Sequence, residues 1–344
     1  MTKGHWSSRR LTHQERKTMD DFLFSFQTRY RFPKHFQRKD AKCGNVTYLE
    51  TNYFRALCNP KGPTPCCFRD RCVRRVESEC TCSDCYDLRQ ERYADYSNWI
   101  PADSRCPYRA FSREEACALL KGSSIHFVGD SLVRHIYTAL LLVLTGDMDY
   151  GALKSSASHE TRSSCRGLYM FTEKVCRINL SHATKLCGGQ ASLVMKYYAH
   201  TQAGRAFLTH VKTITNQTKS LILTGIGIHN GFNITQILPR FIGPVIQDLK
   251  PRTSKWPFLI WANTHAPGLF KSPSLYHQTR PIMEKFNSEM VDLMAENDVP
   301  VFETFNLTDG MSSFDGEHYG RGINVVKANI LLHYIAELKR KGLW

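Results

Sequence analysis

The stretch that decides the fold is Ile125-His126-Phe127-Val128-Gly129-Asp130-Ser131-Leu132. Residues 125–128 form a short apolar, β-prone run, which predicts a buried strand. Residues 132–144 are strongly apolar, are long enough for a helix and are followed by Thr145-Gly146, a typical helix end. Ser131 therefore stands where a strand turns into a helix. Such a turn, at the carboxyl end of a parallel sheet, presents a side chain where open α/β folds place their sites.

Two interpretations of this turn remain open. A nucleophilic serine needs exposure and nearby donors for an oxyanion, and the first N–H groups of a helix supply such donors. The alternative is structural, because Asp-Ser before an apolar helix is also a common N-cap. Asp130 could simply cap the helix, and Arg134 could either support the loop or meet an acidic group of a substrate.

Composition places the chain among globular proteins with basic surfaces. It has 344 residues, 42% of them hydrophobic, and a net charge of +15. A basic surface is either merely solvated or attracts acidic partners. We find no zinc-finger, RRM or homeodomain pattern and therefore expect no nucleic-acid partner. The acidic partners of a luminal protein would be glycans.

Cysteines and glycosylation sequons indicate the secretory pathway, in the Golgi lumen or outside the cell. The chain has thirteen cysteines, seven of them within residues 58–85, and five Asn-x-Ser/Thr sequons. The amino-terminal residues contain no signal-peptide core, and no segment has the length of a membrane span. We expect the true start, with a signal or a type II membrane anchor, to be missing from this sequence. The candidate glycosylation sites are Asn45, Asn179, Asn216, Asn233 and Asn306.

The sequence divides into three parts. Residues 1–42 are basic and polar and predict a disordered tail or stem. Residues 43–106 form a cysteine-rich module and linker, and residues 107–344 form the main domain. Cys82-x-x-Cys85 could be half of a zinc site, but adjacent Cys66-Cys67 fits a disulfide framework better. The odd cysteine total leaves at least one thiol free or paired with another chain. The candidate disulfide cysteines are Cys58, Cys66, Cys67, Cys72, Cys80, Cys82, Cys85, Cys165, Cys176 and Cys187.

The main domain alternates strands and helices, which predicts a three-layer α/β sandwich around a parallel sheet. A capping box at Ser112 to Glu115 opens a short helix before the first strand. Further strands are expected at residues 192–198, 220–225, 258–261 and 300–305, with helices at 276–297 and 323–341. Residues 146–190 form an irregular insert.

Two later motifs follow strands and would lie at the same edge of the sheet as Ser131. In Asp315-Gly-Glu-His318, the histidine could act as a base for Ser131, and the aspartate could fix its tautomer and orientation. In Gly227-Ile-His229-Asn230-Gly231, the Asn230 amide could stabilise an oxyanion. Taken alone, Asp-x-x-His is common by chance, and Asn230 could equally occupy a left-handed turn.

Taken together, these residues resemble the SGNH/GDSL hydrolase superfamily. The resemblance rests on Gly129-Asp130-Ser131 early, His229-Asn230 in the middle and Asp315-Gly-Glu-His318 before a terminal helix. Phe-Val-Gly-Asp-Ser-Leu-Val-Arg is similar to the PC-esterase branch. That branch includes trichome-birefringence-like polysaccharide O-acetyltransferases and the luminal domain of the animal sialic-acid O-acetyltransferase. The resemblance covers residues 121–344 and leaves the cysteine module unassigned.

The resemblance implies an SGNH-type fold with Ser131 as nucleophile, His318 as base and Asp315 as its partner. The oxyanion donors would be the Ser131 N–H, Asn230 and a glycine, for which we choose Gly151, with Gly188-Gly189 as the alternative. His229 departs from the Gly-x-Asn-Asp block of bacterial members.

Three functions remain under consideration. The first is O-acetyl transfer to a hydroxyl of a glycan or polysaccharide, which could be acidic, from an unidentified acetyl donor. The second is a carbohydrate acetylesterase with the same triad. The third is a secreted glycan-binding protein that retains the scaffold without catalysis. None of the three requires a metal or another cofactor.

Overall fold

The structure is a computed structural model of the chain. It describes residues 1–29, 37–48, 52–80, 82, 85–87, 92–181, 186–268, 270–271 and 276–344. The strands are β1 (Gly4–Ser8), β2 (Gly44–Tyr48), β3 (Asn52–Ala56), β4 (Cys66–Phe68), β5 (Arg71–Val73), β6 (Cys85–Asp87), β7 (Ser97–Pro101), β8 (Ser123–Gly129), β9 (Ala191–Tyr197), β10 (Ser220–Gly225), β11 (Phe258–Ala262) and β12 (Val301–Phe302).

The helices lie mainly between the strands of the main domain, and short 3₁₀ and π segments complete the connections. The helices are α1 (His13–Arg29), α2 (Arg113–Leu119), α3 (Ser131–Thr145), α4 (His159–Ser164), α5 (Lys174–Ile178), α6 (Gly204–Thr213), α7 (Ile234–Ile237), α8 (Gly243–Leu249), α9 (Arg280–Ala295), α10 (Phe305–Thr308) and α11 (Arg321–Arg340).

A five-stranded parallel sheet forms the centre of the main domain, in the order β12-β11-β10-β8-β9. This confirms the predicted α/β class and the parallel sheet. The strand order reverses at β8, because β9 pairs on one side of it and β10 on the other. Ligands of open α/β sheets bind beyond the carboxyl ends of the strands at such a switch point. The β8–α3 turn lies at that point.

Helices cover both faces of this sheet. Leu221 and Leu223 of β10 pack on one side with α2, α3 and α11, whereas Ile222 packs on the other side with α6, α8 and α9. The alternation follows from the two-residue period of a strand. The result is the predicted three-layer arrangement with two hydrophobic cores.

The predicted elements agree with the structure in type and differ at their ends. The capping box forms, since the Ser112 hydroxyl accepts from the N–H of Glu115 at 3.2 Å and the Glu115 carboxylate accepts from the N–H of Ser112 at 2.9 Å. The last predicted strand is reduced to the two residues of β12. The helix expected from residue 276 begins at Arg280, after the 3₁₀ turn Tyr276–Gln278. Among the described residues, none of the helices combines the length and apolarity that a membrane span requires.

The prediction of a disordered tail over residues 1–42 is wrong for residues 1–29. Strand β1 pairs antiparallel with β7, and Trp6 packs against Trp99 with ring centroids 5.3 Å apart. Helix α1 buries a stripe at helical spacing, which we overlooked in a segment that is otherwise basic and polar. The members of this stripe are Met19, Phe22, Leu23 and Phe26.

The cysteine-rich module is stapled by disulfides, as predicted. Strands β2 and β3 form a hairpin, and β4 pairs with β5 and β6. Cys43 and Cys117 were absent from our candidates, yet both form disulfides, and Cys106 is a free thiol. The disulfides are Cys43–Cys67, Cys58–Cys72, Cys66–Cys80, Cys82–Cys85, Cys117–Cys187 and Cys165–Cys176.

Candidate active site

Ser131 is the first residue of α3, and Asp130 is the N-cap. One carboxylate oxygen of Asp130 accepts from the N–H of Leu132 at 2.9 Å. The N-cap alternative therefore describes Asp130, whereas the hydroxyl of Ser131 is left for another partner. The N–H of Ser131 belongs to the first turn, where backbone donors have no partner within the helix. It is available to an anion beside the Ser131 hydroxyl.

Gly129 makes the sharp turn possible. A Cβ at this position would lie 2.2 Å from the carbonyl oxygen of Gly225 on β10, and its φ is +155°. Any other residue would push the ends of β8 and β10 apart. Glycine is required here by the close approach of two strands.

Ser131, His318 and Asp315 form one hydrogen-bonded chain. The Ser131 hydroxyl lies 2.7 Å from Nε2 of His318, and Nδ1 of His318 lies 2.7 Å from a carboxylate oxygen of Asp315. The carboxylate can only accept, so Nδ1 carries the proton and Nε2 is left as the acceptor for the serine. This tautomer is the one that a histidine base requires. The structure thus brings together three residues from two distant motifs.

The pKa shifts of His318 and Asp315 support this arrangement. Burial lowers the pKa of His318, but the charge and hydrogen bond of Asp315 outweigh it and raise the pKa above its ordinary value. Burial raises the pKa of Asp315, but the charge of His318 and the hydrogen bonds from His318 and Glu317 leave the pKa below its ordinary value. Asp315 is therefore a carboxylate, and His318 is a stronger base than a free imidazole.

The loop that carries Asp315 and His318 is held on both sides. The second oxygen of the Asp315 carboxylate accepts from the N–H groups of Glu317 and His318, at 2.9 and 2.6 Å. The Glu317 carboxylate pairs with the Lys271 ammonium at 2.5 Å, and both side chains are largely buried. Gly316 has φ +85°, and a Cβ there would lie 2.1 Å from the backbone nitrogen of Lys271. The loop is therefore pinned against Gly268 and Lys271.

Helix α1 supports the histidine from behind. Phe314 stacks on the His318 ring with centroids 5.9 Å apart and an interplanar angle of 14°. Phe26 of α1 packs against Phe314 at 5.1 Å, and Phe22 does so at 6.3 Å. The amino-terminal helix is thus part of the wall that positions His318.

The amide of Asn230 braces two loops at the carboxyl edge. Its oxygen accepts from the N–H of Thr201 at 3.0 Å, and its nitrogen donates to the carbonyl of Ala199 at 3.0 Å. One N–H of the amide is thereby used, and the second is left for a ligand. The loop after β9 was missed in the sequence, although the end of that strand is level with Gly129 in the sheet.

The glycines considered for the oxyanion site are used elsewhere. The N–H of Gly151 donates to the carbonyl of Asp147 at 3.0 Å, so it is not available to an oxyanion. Gly188 and Gly189 precede β9 and lie at the amino edge of the parallel sheet, opposite Ser131. The prediction of Gly151 as an oxyanion donor is therefore wrong, and so is the alternative prediction of Gly188-Gly189.

Cationic and imidazole groups surround the mouth of the site. Arg134 lies one turn after Ser131, and its guanidinium is 5.5 Å from the ring centroid of Tyr197. The rings of His200 and His229 lie 5.1 Å apart, and both residues are exposed. The pKa of His229 is lowered, first by burial and then by the neighbouring charges of His200, His318, Arg134 and Lys271. His229 is therefore protonated less readily than a free imidazole, and the guanidinium of Arg134 is the permanent cation of this cluster.

A second basic group lies buried beside the triad and was not foreseen. The ring of His135 lies 5.2 Å from that of His318, and Lys327 hydrogen-bonds Nε2 of His265. Burial holds the pKa of Lys327 well below its ordinary value. The amine therefore gives up its proton more readily than an exposed lysine, because a buried charge without a partner costs several kcal/mol.

The candidate glycosylation sites differ in exposure. Asn216, Asn233 and Asn306 are exposed, whereas Asn179 is half-buried and its amide donates to the carbonyl of Val175 at 2.8 Å. The side chain of Asn45 lies outside the described residues. Glycosylation stays a prediction at all five.

The described residues contain two groups of three cysteines whose sulfurs lie within 4.8 Å of one another. Each of these sulfurs is bonded in a disulfide and is therefore not the thiolate that a metal requires. The two groups are Cys43, Cys58 and Cys72, and Cys66, Cys80 and Cys85.

No protein-family model and no curated protein matches this chain. Among solved structures, it is similar to Est24, a carbohydrate acetylesterase from Sinorhizobium meliloti, with 11% identity, a TM-score of 0.38 and coverage of 63% of this chain and 99% of the other. It is also similar to an aryl esterase from M. smegmatis, with 11% identity, a TM-score of 0.39 and coverage of 63% of this chain and 99% of the other. A lipase/acylhydrolase from Enterococcus faecalis has 9% identity, a TM-score of 0.30 and coverage of 64% of this chain and 96% of the other.

Proposed function

We propose that this protein is an SGNH-type serine enzyme that transfers an acetyl group to a hydroxyl of a glycan or polysaccharide. The observation that carries the proposal is the hydrogen-bonded chain from the Ser131 hydroxyl through His318 to Asp315. Its position at the carboxyl edge of a parallel sheet, beside a helix amino terminus, supports acyl-transfer chemistry. The order of the three motifs supports the PC-esterase branch of the superfamily.

The reaction proceeds in two steps. The Ser131 oxygen attacks the acetyl carbonyl while Nε2 of His318 takes the hydroxyl proton, and the oxyanion forms beside the Ser131 N–H. The leaving group receives that proton from His318, and acetyl-Ser131 remains. An acceptor hydroxyl then gives its proton to His318 and attacks the ester. As the bond between the acetyl group and Ser131 breaks, His318 returns the proton to the Ser131 oxygen. Asn230 supplies a second donor through its unused N–H.

The guanidinium of Arg134 at the entrance supports an acidic acceptor. It lies among His200 and His229 and would pair with a carboxylate or sulfate on the acceptor. The six disulfides favour a location in the secretory pathway, in the Golgi lumen or outside the cell. The acetyl donor enters the same edge of the sheet.

The decisive experiment is intact-mass spectrometry of the whole chain, produced in a secretory host, after mixing with p-nitrophenyl acetate. We expect a nitrophenol burst and an adduct of about 42 Da, one acetyl replacing one hydrogen. The adduct should be absent in Ser131→Ala and strongly slowed in His318→Ala. No adduct and no turnover from a folded sample would rule out both enzyme functions and leave a glycan-binding protein.

The fate of the adduct separates transferase from esterase. Acidic and neutral oligosaccharides are added to the isolated acetyl-enzyme, and acetylated sugar is measured beside free acetate. We expect acidic sugars to become acetylated faster than acetate is released. Release of acetate alone, at the same rate with and without sugar, would make the protein a carbohydrate acetylesterase.

A further inference from the structure

A groove in the disulfide module is lined by residues outside the candidate active site. Its volume is about 430 Å³, and it lies between residues 60–65 and 74–79. We propose that it binds a segment of an anionic polysaccharide through carboxylate or sulfate groups. This second site would hold the polymer independently of the reaction at Ser131. The lining residues are Pro60, Lys61, Gly62, Pro63, Pro65, Arg74, Arg75, Val76 and Glu79.

The walls of the groove are rigid. The disulfide Cys66–Cys80 joins the ends of its two walls, and Cys58–Cys72 closes the neighbouring turn. Three prolines restrict the first wall, and the Asn59 side chain accepts from the N–H of Lys61 at 3.0 Å. A site that is ordered before binding loses little conformational entropy when its ligand arrives.

The lining of the groove combines three cationic side chains with one acidic residue, Glu79. Within the part of the chain that the structure describes, Lys61, Arg74 and Arg75 make no ion pair. Arg75 is held in place, with its guanidinium 3.9 Å from the centroid of Phe68 and one N–H on the carbonyl of Glu79 at 3.3 Å. Guanidinium groups match the paired oxygens of carboxylates and sulfates.

The rest of the lining favours a sugar chain over other polyanions. Prolines and Val76, which is 58% exposed, offer small apolar surfaces that suit the C–H faces of sugar rings. The lining contains no aromatic side chain, whereas single-stranded nucleic acids bind on aromatic stacking platforms. Binding to a membrane surface needs a broad apolar face, which one valine does not supply.

The test is direct binding by the whole chain, in a Ser131→Ala background so that catalysis plays no part. The probes are polygalacturonate for carboxylate, heparin for sulfate, dextran as a neutral polymer and single-stranded DNA as a polyanion that is not a glycan. The groove variant is Lys61→Glu with Arg74→Glu. The matched control, Lys285→Glu with Lys339→Glu, makes the same charge change at exposed positions of α9 and α11.

We expect polygalacturonate, heparin or both to bind more tightly than dextran and DNA, and to bind less tightly as salt is raised. The groove variant should lose roughly a hundredfold in affinity, about tenfold for each reversed charge, and the control little. Arg74→Gln alone should lose about tenfold. The sugar that binds identifies the anionic group.

Three results would overturn the site: no binding of either acidic glycan, equal binding of DNA, or equal losses in the groove variant and the control. Counting free thiols by mass after alkylation checks that the variants keep their disulfides. These samples carry Ser131→Ala, so a failure to bind glycans would not bear on the proposed acyl transfer. Likewise, a failure of the acyl-enzyme experiment would not bear on glycan binding in the groove.

Discussion

At the scale of single residues, Asp130 and Ser131 have different roles at the β8–α3 turn. Asp130 caps the helix with its carboxylate, which frees the Ser131 hydroxyl to reach His318. Burial raises the pKa of Asp130 to about 6, against the lowering effect of the Leu132 N–H. The Asp-Ser pair thus combines an N-cap and a candidate nucleophile at consecutive positions.

The state of His318 leads to a prediction about pH. A base works in its neutral form, so acylation of Ser131 should rise with pH through the pKa of His318, which lies above its ordinary 6.5. In Asp315→Asn the raising charge is gone and burial dominates, so the midpoint should move to lower pH. The rate above the midpoint should fall by about ten-thousandfold, since the tautomer is no longer held. Burst rates with p-nitrophenyl acetate between pH 5 and 9 measure both changes.

The matched control is Asp298→Asn, at an exposed position after α9 whose φ of +55° asparagine tolerates. It should leave the pH profile unchanged. A midpoint in Asp315→Asn equal to that of the wild type would contradict the role of Asp315 in raising the pKa of His318.

At the scale of elements, α1 supports the triad across almost the whole length of the chain. Phe26 is 1% exposed and touches Phe314, and Phe314 in turn stacks on His318. The basic residues of this segment point outward, and Arg29 pairs with Glu173 at 2.8 Å. This segment therefore forms an amphipathic helix, although its basic and polar composition suggests disorder.

Phe26→Ala should destabilise the protein by about 3 kcal/mol, because it leaves a cavity beside Phe314. It should also slow acylation of Ser131, since the His318 ring loses its backing. Phe24→Ala is the matched control on the same helix, because Phe24 is 55% exposed. Urea unfolding and burst rates measure the two effects. Equal behaviour of the two variants would show that α1 does not support the site.

At the scale of the whole molecule, the longest covalent crosslink lies away from the triad. Cys117–Cys187 joins α2 to the turn before β9 and closes a loop of 70 residues at the amino edge of the sheet. In the chain-entropy model, such a loop is worth about 4 kcal/mol. Cys117→Ala with Cys187→Ala should lower the free energy of unfolding by up to that amount and leave burst rates unchanged. An unchanged urea midpoint would contradict this estimate.

The core also contains a destabilising group. Lys327 is 0% exposed, and burial holds its pKa in the folded protein well below the ordinary 10.5 that it has in the unfolded chain. The unfolded state thus binds the extra proton, and stability should rise with pH toward 10.5. Lys327→Met should increase the free energy of unfolding at pH 7 and flatten its rise between pH 7 and 9. The exposed Lys339→Met is the control. Urea unfolding that shows a less stable Lys327→Met at pH 7 would contradict the prediction.

The sequence by itself determined the class of fold and indicated Ser131, Asp315 and His318, which the structure joins in one hydrogen-bonded chain. Strand and helix periodicities are local, so β8, α3, β10 and α11 could be predicted from runs of neighbouring residues. Parallel strands place their carboxyl ends at one edge, so Ser131, Asn230 and His318 could be expected there together. The capping box at Ser112 is equally local.

Only the tertiary structure decided which partners those residues have. The disulfide pairs depend on contacts between distant segments, and so does the bracing of the Ala199 and Thr201 backbone by Asn230. The packing of Phe26 on Phe314 and the burial of Lys327 depend on the same kind of contact. The structure also decided that the Gly151 N–H donates to the carbonyl of Asp147 and is not available to an oxyanion. Periodicity indicates that a side chain is buried, but the neighbour that it meets is set by how the layers pack.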